Sequence, residues 1–421
     1  MTPSGHLTPS SPTRVPVRDA ATLGARHATE SERLRTLHPA VAGALTGAGF
    51  PRHFVPAEFG GDAGTFAELV DSVALLGEGC TSAAWCAALQ AAHGRLAAHL
   101  PHRGQAEIWG SGPDVPIAAA VVPPAGELAE APGGYRLSGR WHLASGVDHA
   151  DWLLVATPEP GDGGRSPRIL ALPRADFTVE DTWRNSGLRG TGSNSVTVVD
   201  AFVPRHRTMS RDGLAAGRPE ESAARCHRVP FPLVASLMFA APALGAARGA
   251  LRAWTDAMVG RPTGDGGGRL DDGVAQQVLA RSSAEIDAAH LLLSGAAERA
   301  DHAPLDRLPV ARNMRDAAVA VEMLVAVVER LFRSGGTRVQ SEAEPLQRFW
   351  RDVHAVAGHG ALRLAPAAAA YARSVVLDGV QGGQGCAAES RREGGRGALD
   401  GGPGREPRGG ADGTIGISDQ I

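Results

Sequence analysis

The sequence predicts an α+β protein in which helices, a block of strands and a four-helix bundle follow one another along 421 residues. Three observations predict it. Segments before about residue 113 and after about residue 230 carry apolar residues at helical spacing. The stretch between them switches to short runs rich in Val, Leu and Ile, broken by Pro, Gly and Asp, which is the pattern of strands and turns. The length exceeds what one hydrophobic core usually takes, so two or three subdomains are expected.

In chain order, residues 1–28 are rich in Ser, Thr and Pro and are expected to be disordered. Residues 29–113 form an N-terminal helical domain. Its helices fall near Leu34–Gly49, Thr65–Leu76 and Ser82–Leu100, with a turn at Gly60-Gly61 and a break at Gly77 and Gly79. The run SAAWCAALQAAHGRLAAHL (82–100) has no polar face, so it is expected to be buried. Residues 114–206 form a middle β-domain, an antiparallel barrel or sandwich built from VPIAAAVVP, GYRLSGRWHLAS, DWLLVATP, RILALP and NSVTVVDAFVP. GDGGRSP (Gly161–Pro167) is a turn between two of these. Residues 207–378 form the bundle, with helices at Leu233–Val259, Gly273–Arg299, Leu308–Phe332 and Glu344–Val376. TGDGGGRLDDG (Thr263–Gly273) is a flexible connection inside it. Residues 379–421 are dense in Gly and Arg, lack apolar periodicity and are expected to be a disordered tail.

Composition narrows the function classes. The net charge is −3 and the 42 basic residues are all Arg, with no basic stretch that points to nucleic acid. Cys80, Cys86, Cys226 and Cys386 fit neither a disulfide framework nor metal spacing, and no metal is expected. There is no apolar leader and no run of eighteen apolar residues, so neither membrane insertion nor secretion is expected, and the location is read as cytoplasmic. No G-x-G-x-x-G follows a strand, so the chain is not expected to bind NAD(P)H itself.

Two segments carry the chemistry: GRWHLASGVDHADW (Gly139–Trp152) and GLRGTGSNSVTVVDAFVP (Gly187–Pro204). Each joins a strand to a loop of small hydrogen-bonding residues, which suits a flat heteroaromatic ring laid against a backbone edge. Thr191 and Ser193 offer hydroxyls, while Gly190 and Gly192 allow close backbone approach to a phosphate or to the ring. Trp141 and Trp183 each suit either stacking on that ring or packing in the core. Taken with the order of helices, strands and four long helices over about 30–378, these segments resemble the acyl-CoA dehydrogenase superfamily. Within it they look most like the two-component flavin monooxygenases, similar to the oxygenase components of 4-hydroxyphenylacetate hydroxylases.

The resemblance implies an acyl-CoA dehydrogenase-like fold and a homotetramer. It implies a separate NAD(P)H:flavin reductase that supplies FMNH2 or FADH2, which reacts with O2 to a C4a-hydroperoxide and hydroxylates a small aromatic or polyketide-type molecule. Residue by residue, it places Ser145 (Trp141-His142-Leu143-Ala144-Ser145-Gly146) near the flavin N5, where a turn serine would otherwise cap a strand. It assigns proton handling to His93 on the buried helix and to His359 in FWRDVHAVAGHGAL, although a lone histidine on an apolar helix is more often a core residue. His354 competes with His359; on one helix, residues five apart point in different directions, so only one faces the flavin. His149 is a weaker candidate for the substrate pocket. The cofactor contacts implied are Trp141, Ser145, Gly190, Thr191, Gly192 and Ser193.

Many acyl-CoA dehydrogenases carry a catalytic Glu shortly before the Arg-Asp pair of the last helices. Ala343 stands at that place here, and Glu342 and Glu344 beside it are turned by about 100° on a helix. Abstraction of an α-proton from a thioester then has no evident base. N-oxidation of an amino sugar, an FAD-dependent acyl-CoA dehydrogenase and a non-catalytic binding protein are the competing expectations.

Overall fold

The computed structural model describes residues 15–160, 167–219, 222, 224–259 and 272–376. The expectations for residues 1–14, for most of the Gly161–Pro167 turn and the Thr263–Gly273 connection, and for the 379–421 tail lie outside the described residues. Six helices come first: α1 (Val17–Arg26), α2 (Ala28–Leu34), α3 (Pro39–Gly47), α4 (Phe66–Gly77), α5 (Thr81–Ala97) and α6 (His102–Trp109). Strands β1 (Ile117–Ala120), β2 (Glu127–Ala131), β3 (Gly134–Ala144), β4 (Trp152–Thr157), β5 (Arg168–Pro173), β6 (Thr178–Glu180), β7 (Asn194–Pro204) and β8 (Thr208–Ser210) follow. Two short helices, α7 (Arg211–Ala215) and α8 (Arg225–Arg228), lead to the long α9 (Phe231–Val259), α10 (Gly273–His302) and α11 (Arg307–Ser334). The described chain closes with α12 (Pro345–Ala357) and α13 over 364–376.

The N-terminal segment departs from expectation twice. Residues 17–26, expected to be disordered, are helical because Ala20 and Gly24 form a small-residue seam that buries against the molecule. A Cβ on Gly24 would sit 3.6 Å from both Ala83 and Cys80 of the α4–α5 region. The helix expected at Leu34–Gly49 begins only at Pro39: Arg35 takes the left-handed conformation and ends α2, which covers Ala28–Leu34, and Pro39 opens α3 at its first turn. Helix α4 starts on a capping box between Thr65 and Glu68, and its Phe66 and Ala67 N–H groups reach the Asp301 carboxylate of α10 at 2.9 and 3.0 Å.

One hydrophobic core runs without interruption from α1–α5 into α9–α12. Helices α4 and α9 cross at Gly77 and Gly245, where a Cβ on Gly245 would meet the Ala74 carbonyl at 2.1 Å, so side chains are excluded from the crossing. Helix α9 is long and apolar enough to cross a membrane by composition, yet 89% of its apolar window is buried in this core.

The strands form two four-stranded sheets, β1-β4-β5-β8 and β2-β3-β7-β6. Strand β4 is buried on both faces: Leu153 and Val155 meet Leu137, Trp141 and Val196 of the other sheet, while Trp152, Leu154 and Ala156 pack on α5–α6 side chains such as Leu96 and Trp109. Burial on both faces explains its continuous apolar sequence. The wholly antiparallel arrangement expected is corrected at β1, which pairs parallel with β4 because the chain visits β2 and β3 in the other sheet before returning. Strands β2, β6 and β8 were not expected; they are three to five residues long and lie at sheet edges.

The helix expected over Glu344–Val376 is interrupted. Helix α12 stops at Ala357, and Gly358-His359-Gly360 leads through a short 3-10 turn into α13. The two glycines favour the break, and the His359 ring caps the turn by accepting the Ala361 N–H at 3.2 Å. Helix α12 is tied to the strand block at the loop before β7. The buried Asp352 carboxylate accepts the Leu188 N–H at 2.7 Å, and the Arg351 guanidinium donates to the Ser186 carbonyl at 2.6 Å. Leu188 is held at a φ of 51°, a conformation that costs a non-glycine residue roughly 1–2 kcal/mol.

Burial pushes the Asp352 carboxyl up to about 6, against the lowering effect of the Leu188 N–H and of Arg348. A raised carboxyl value means that ionising Asp352 costs stability, a cost that develops between about pH 4 and pH 6 and persists above. Asp352→Asn keeps an acceptor for Leu188 and is expected to be at least as stable as the parent at neutral pH. Its advantage, on the order of 2–3 kcal/mol, should fade as pH falls through that window. Asp352→Ala strands the Leu188 N–H and should lose about 1–3 kcal/mol. Urea unfolding of all three proteins at neutral and acidic pH checks both; a pH-independent gap between Asn variant and parent would contradict the assignment.

Candidate active site

Helix α5 places one wall. Trp85, Leu89 and His93 follow one another at intervals of four, so they share a face, and that face meets a cavity of about 560 Å³. The loop after β3, the loop before β7, the start of α9 and the Gly358–Gly360 break close the other sides. His93, Ser145 and His359 all line this one cavity, although they lie on three separate segments.

The two histidines present opposite ring edges. His93 Nδ1 donates to the Ile117 carbonyl at 2.7 Å, which leaves its Nε2 as an unprotonated acceptor. His359 Nδ1 accepts the Ala361 N–H, which leaves the proton on Nε2 as a donor. Burial pushes each imidazole down to about 4, so both are neutral at physiological pH. The His359 ring stacks on Phe239 of α9 at 3.7 Å and meets the edge of Trp85 at 5.8 Å. His354 points elsewhere: it packs on Trp350, bonds the Trp350 carbonyl and lies 4.0 Å from Glu329 of α11. The choice between the two rests on the broken helix, not on a helical face as expected, because His359 lies outside α12.

Ser145 follows directly on the bulged end of β3, where register slips between Trp141 and Ala144 and Leu143 takes a φ of 65°. The bulge turns Ser145 towards the cavity. Its Oγ accepts the Trp85 indole N–H at 3.1 Å and lies 2.7 Å from Ser193 Oγ, which lies 2.7 Å from Thr191 Oγ1. Thr191 in turn donates to the Leu188 carbonyl at 2.9 Å.

The remaining expected contacts divide. Ser193 lines the cavity, as does Trp183, whose indole N–H holds the Leu188 carbonyl at 3.0 Å. Trp141 does not reach it: the ring is buried between the two sheets and donates to the Ala156 carbonyl. Thr191 is fully buried behind Ser193. Gly190 and Gly192 serve packing. A Cβ on Gly190 would meet Ser31 and Ser82, and one on Gly192, at a φ of 56°, would meet Asp148 and Thr36. His149 bonds the Leu37 carbonyl and lines a separate small crevice. Trp85, Phe239 and Phe231 were not anticipated. The four-residue spacing of Trp85, Leu89 and His93 was a signal available for the first; nothing local distinguishes the two phenylalanines.

None of the described residues lining the cavity is an Asp, Glu, Lys or Arg. Glu342 lies on the surface and Glu344 is only partly buried, just ahead of α12, and neither lines the cavity. The three described cysteines are buried.

Residues 237–364 match the family model of the acyl-CoA dehydrogenase C-terminal domain. The chain is 33% identical over 346 residues to the oxygenase subunit HsaA of a flavin-dependent monooxygenase from Rhodococcus jostii, covering 79% of this chain and 90% of that one. It is 34% identical over 367 residues to the oxygenase component of an FADH2-dependent resorcinol hydroxylase from a Rhizobium, covering 82% and 88%. The solved structure of XiaF from Streptomyces in complex with FADH2 and glycerol superposes with a TM-score of 0.80 at 26% identity, over 86% of this chain and 94% of that one. With an acyl-CoA dehydrogenase-like fold and this extent of likeness, the chain belongs to the family of oxygenase components of flavin-dependent monooxygenases.

Proposed function

We propose that the chain hydroxylates an uncharged aromatic ring inside the cavity walled by His93, Ser145 and His359, with reduced flavin brought by a separate reductase. The observation that carries this reading is the pair of neutral imidazoles with opposite free edges, an acceptor on His93 and a donor on His359, facing one apolar space. Bound reduced flavin supplies the electrons with which O2 is activated. FADH2 is the first form to test, because the names of the resorcinol hydroxylase and of the XiaF complex both specify it; FMNH2 is the alternative.

The residues suit that group. A cavity of about 560 Å³ is within the range that holds cofactor-sized ligands. Ser145 and Ser193 offer a polar edge in otherwise apolar walls, and Trp183 stands beside them. His93 Nε2 accepts the proton of a ring hydroxyl and so raises electron density on the carbon to be oxidised, whereas His359 Nε2–H donates a proton to reduced oxygen. The apolar lining excludes water, which favours transfer of oxygen over its loss as peroxide.

The lack of a carboxylate among the described lining residues supports an aromatic over an amino sugar, whose ammonium would be buried without a counter-charge. It also leaves a thioester without the carboxylate base of the dehydrogenases. Exposed Leu291 and Val274 on α10 are consistent with further association into the homotetramer expected of the family, and a cytoplasmic location fits the reductase-dependent reading.

Anaerobic mixing of the protein with FADH2, then FMNH2, followed by an oxygen pulse tests the reading. A transient absorbance distinct from reduced and from oxidised flavin is expected; direct appearance of oxidised flavin, together with bleaching by acyl thioesters, would favour the dehydrogenase. His93→Ala should cut hydroxylation by about 10²–10⁴-fold while reduced flavin still binds, measured as product formed per flavin oxidised. Because both imidazoles titrate only near pH 4, neither should gain a proton between about pH 5.5 and 8. Imidazole NMR of the free protein checks this; a histidine at either position titrating near pH 6.5 would contradict it.

A further inference from the structure

Two prolines leave two buried carbonyls without a main-chain donor where the chain enters α9. In Cys226-His227-Arg228-Val229-Pro230-Phe231-Pro232, the N–H that would bond the Cys226 carbonyl one turn on belongs to Pro230, which has none. The Val229 carbonyl loses its three-residue partner to Pro232 in the same way. Its four-residue partner, the Leu233 N–H, goes to the Pro230 carbonyl at 3.0 Å. Cys226 and Val229 are both buried, so each carbonyl needs a donor from elsewhere.

Arg95 of α5 supplies both. Its Nε donates to the Cys226 carbonyl at 2.6 Å and its Nη2 to the Val229 carbonyl. The side chain is fully buried, yet among the described residues no carboxylate pairs with it and Nη1 has no partner. The Phe66 ring faces the guanidinium, with Cζ 5.9 Å from the ring centroid. Burial pushes Arg95 down to about 10, so it stays charged at neutral pH. A hydrocarbon side chain would avoid the cost of burying that charge but would leave both carbonyls unbonded. A lysine, a single point charge, lacks the fork that spans the two.

We propose that Arg95 is a positioning residue for the aromatic substrate: by holding these two carbonyls it fixes where Phe231 stands in the cavity wall. The proposal rests on the hydroxylase reading above. Arg95 lies two residues beyond His93, about 200° round α5 and so on the side away from the cavity. Val229 lies two residues before Phe231, which lines the cavity and packs on the cluster that contains Leu96 and Ile117. The Ile117 carbonyl in turn holds His93. One guanidinium therefore joins the helix that carries His93 to the segment that carries Phe231, and sets the gap between a proton acceptor and an apolar wall. His227 and Arg225 hold α8 from other sides, through the Phe54 carbonyl at 2.6 Å and the Ala300 carbonyl at 3.0 Å. Loss of Arg95 thus frees the Phe231 end while α8 stays docked.

The test replaces Phe231 with 4-fluorophenylalanine and records fluorine NMR spectra of the full chain, of Arg95→Met and of Arg95→Lys. A control set carries the label at Phe332, which stacks on Trp350 away from the cavity. The lysine variant keeps the charge and one carbonyl bond, and guards against a failure of the methionine variant to fold. The parent should give one sharp line at 231, the methionine variant shifted or multiple lines, and the lysine variant an intermediate spectrum; the line at 332 should not move. Hydroxylation of resorcinol, the substrate in the name of one relative, should fall per flavin oxidised by about 10–10²-fold in Arg95→Met. Affinity for reduced flavin should hold, because Arg95 bonds none of Ser145, Ser193 and Trp183. In a Phe231→Ala background Arg95→Met should cost almost nothing further, since its effect passes through that ring. A general lesion of folding would weaken flavin binding as well and disturb the line at 332. An unmoved line at 231 in two folded variants overturns the proposal and leaves the hydroxylase reading intact. A parent that oxidises reduced flavin without forming any aromatic product overturns that reading, and the role of Arg95 in placing a substrate falls with it.

Discussion

The Leu188 N–H that reaches the Asp352 carboxylate joins two walls of the cavity that arise more than 160 residues apart in the chain. On one side of that bond is α12, and seven residues beyond Asp352 comes His359. On the other side is a leucine held in a left-handed conformation, with its carbonyl gathered by Thr191 and Trp183. The strained backbone is affordable because both of its polar groups are satisfied inside the protein. Ser145 and His359 therefore keep their relative placement through this buried backbone unit and through Trp85, which touches both, not through direct contact with each other.

The electrostatics of the cavity follow from the same economy of charge. Its polar groups are hydroxyls, amide edges and imidazoles, and burial keeps those of His93 and His359 neutral. In such surroundings a hydrogen bond is worth more than it is in water, and the direction in which each proton is committed becomes chemical information. His93 and His359 illustrate this. They are the same residue type with nearly the same depressed basicity, yet a carbonyl behind one and an amide behind the other leave them with opposite free edges.

Much of this was legible in the sequence where a pattern is local. The buried character of α5 follows from its missing polar face, and the two loop segments around Ser145 and Ser193 stand out by composition. Position 359 was reached through resemblance, but the sequence read as one helix from Glu344 to Val376; the weight of two glycines around a histidine was underestimated. The edge strands β2, β6 and β8 escaped because strands of three to five residues gain their stability from the neighbour they pair with. Trp141 shows the opposite error. A tryptophan in a cofactor motif invites stacking, yet strand alternation puts its ring on the inner face of the sheet, towards the other sheet. Gly190 and Gly192 were taken for ligand contacts, whereas the close neighbours that require glycine there are Ser31, Ser82, Thr36 and Asp148, all distant in sequence.

The continuity of the core from α1–α5 into α9–α12 also bears on how this chain can exchange parts with its relatives. The helices form one body encoded in two pieces, and the strands are an insertion between them. A chimera that swaps only the N-terminal helices would mate two halves of a core that were never fitted to each other, beginning at the Gly77–Gly245 crossing. Recombination is better tolerated where the chain enters and leaves the sheets, around 110–116 and 205–230. The Val121–Val122 and Leu143 side of the cavity can then vary with the strand block, provided that the Ile117 carbonyl and the Leu188 N–H, which hold His93 and Asp352, are kept.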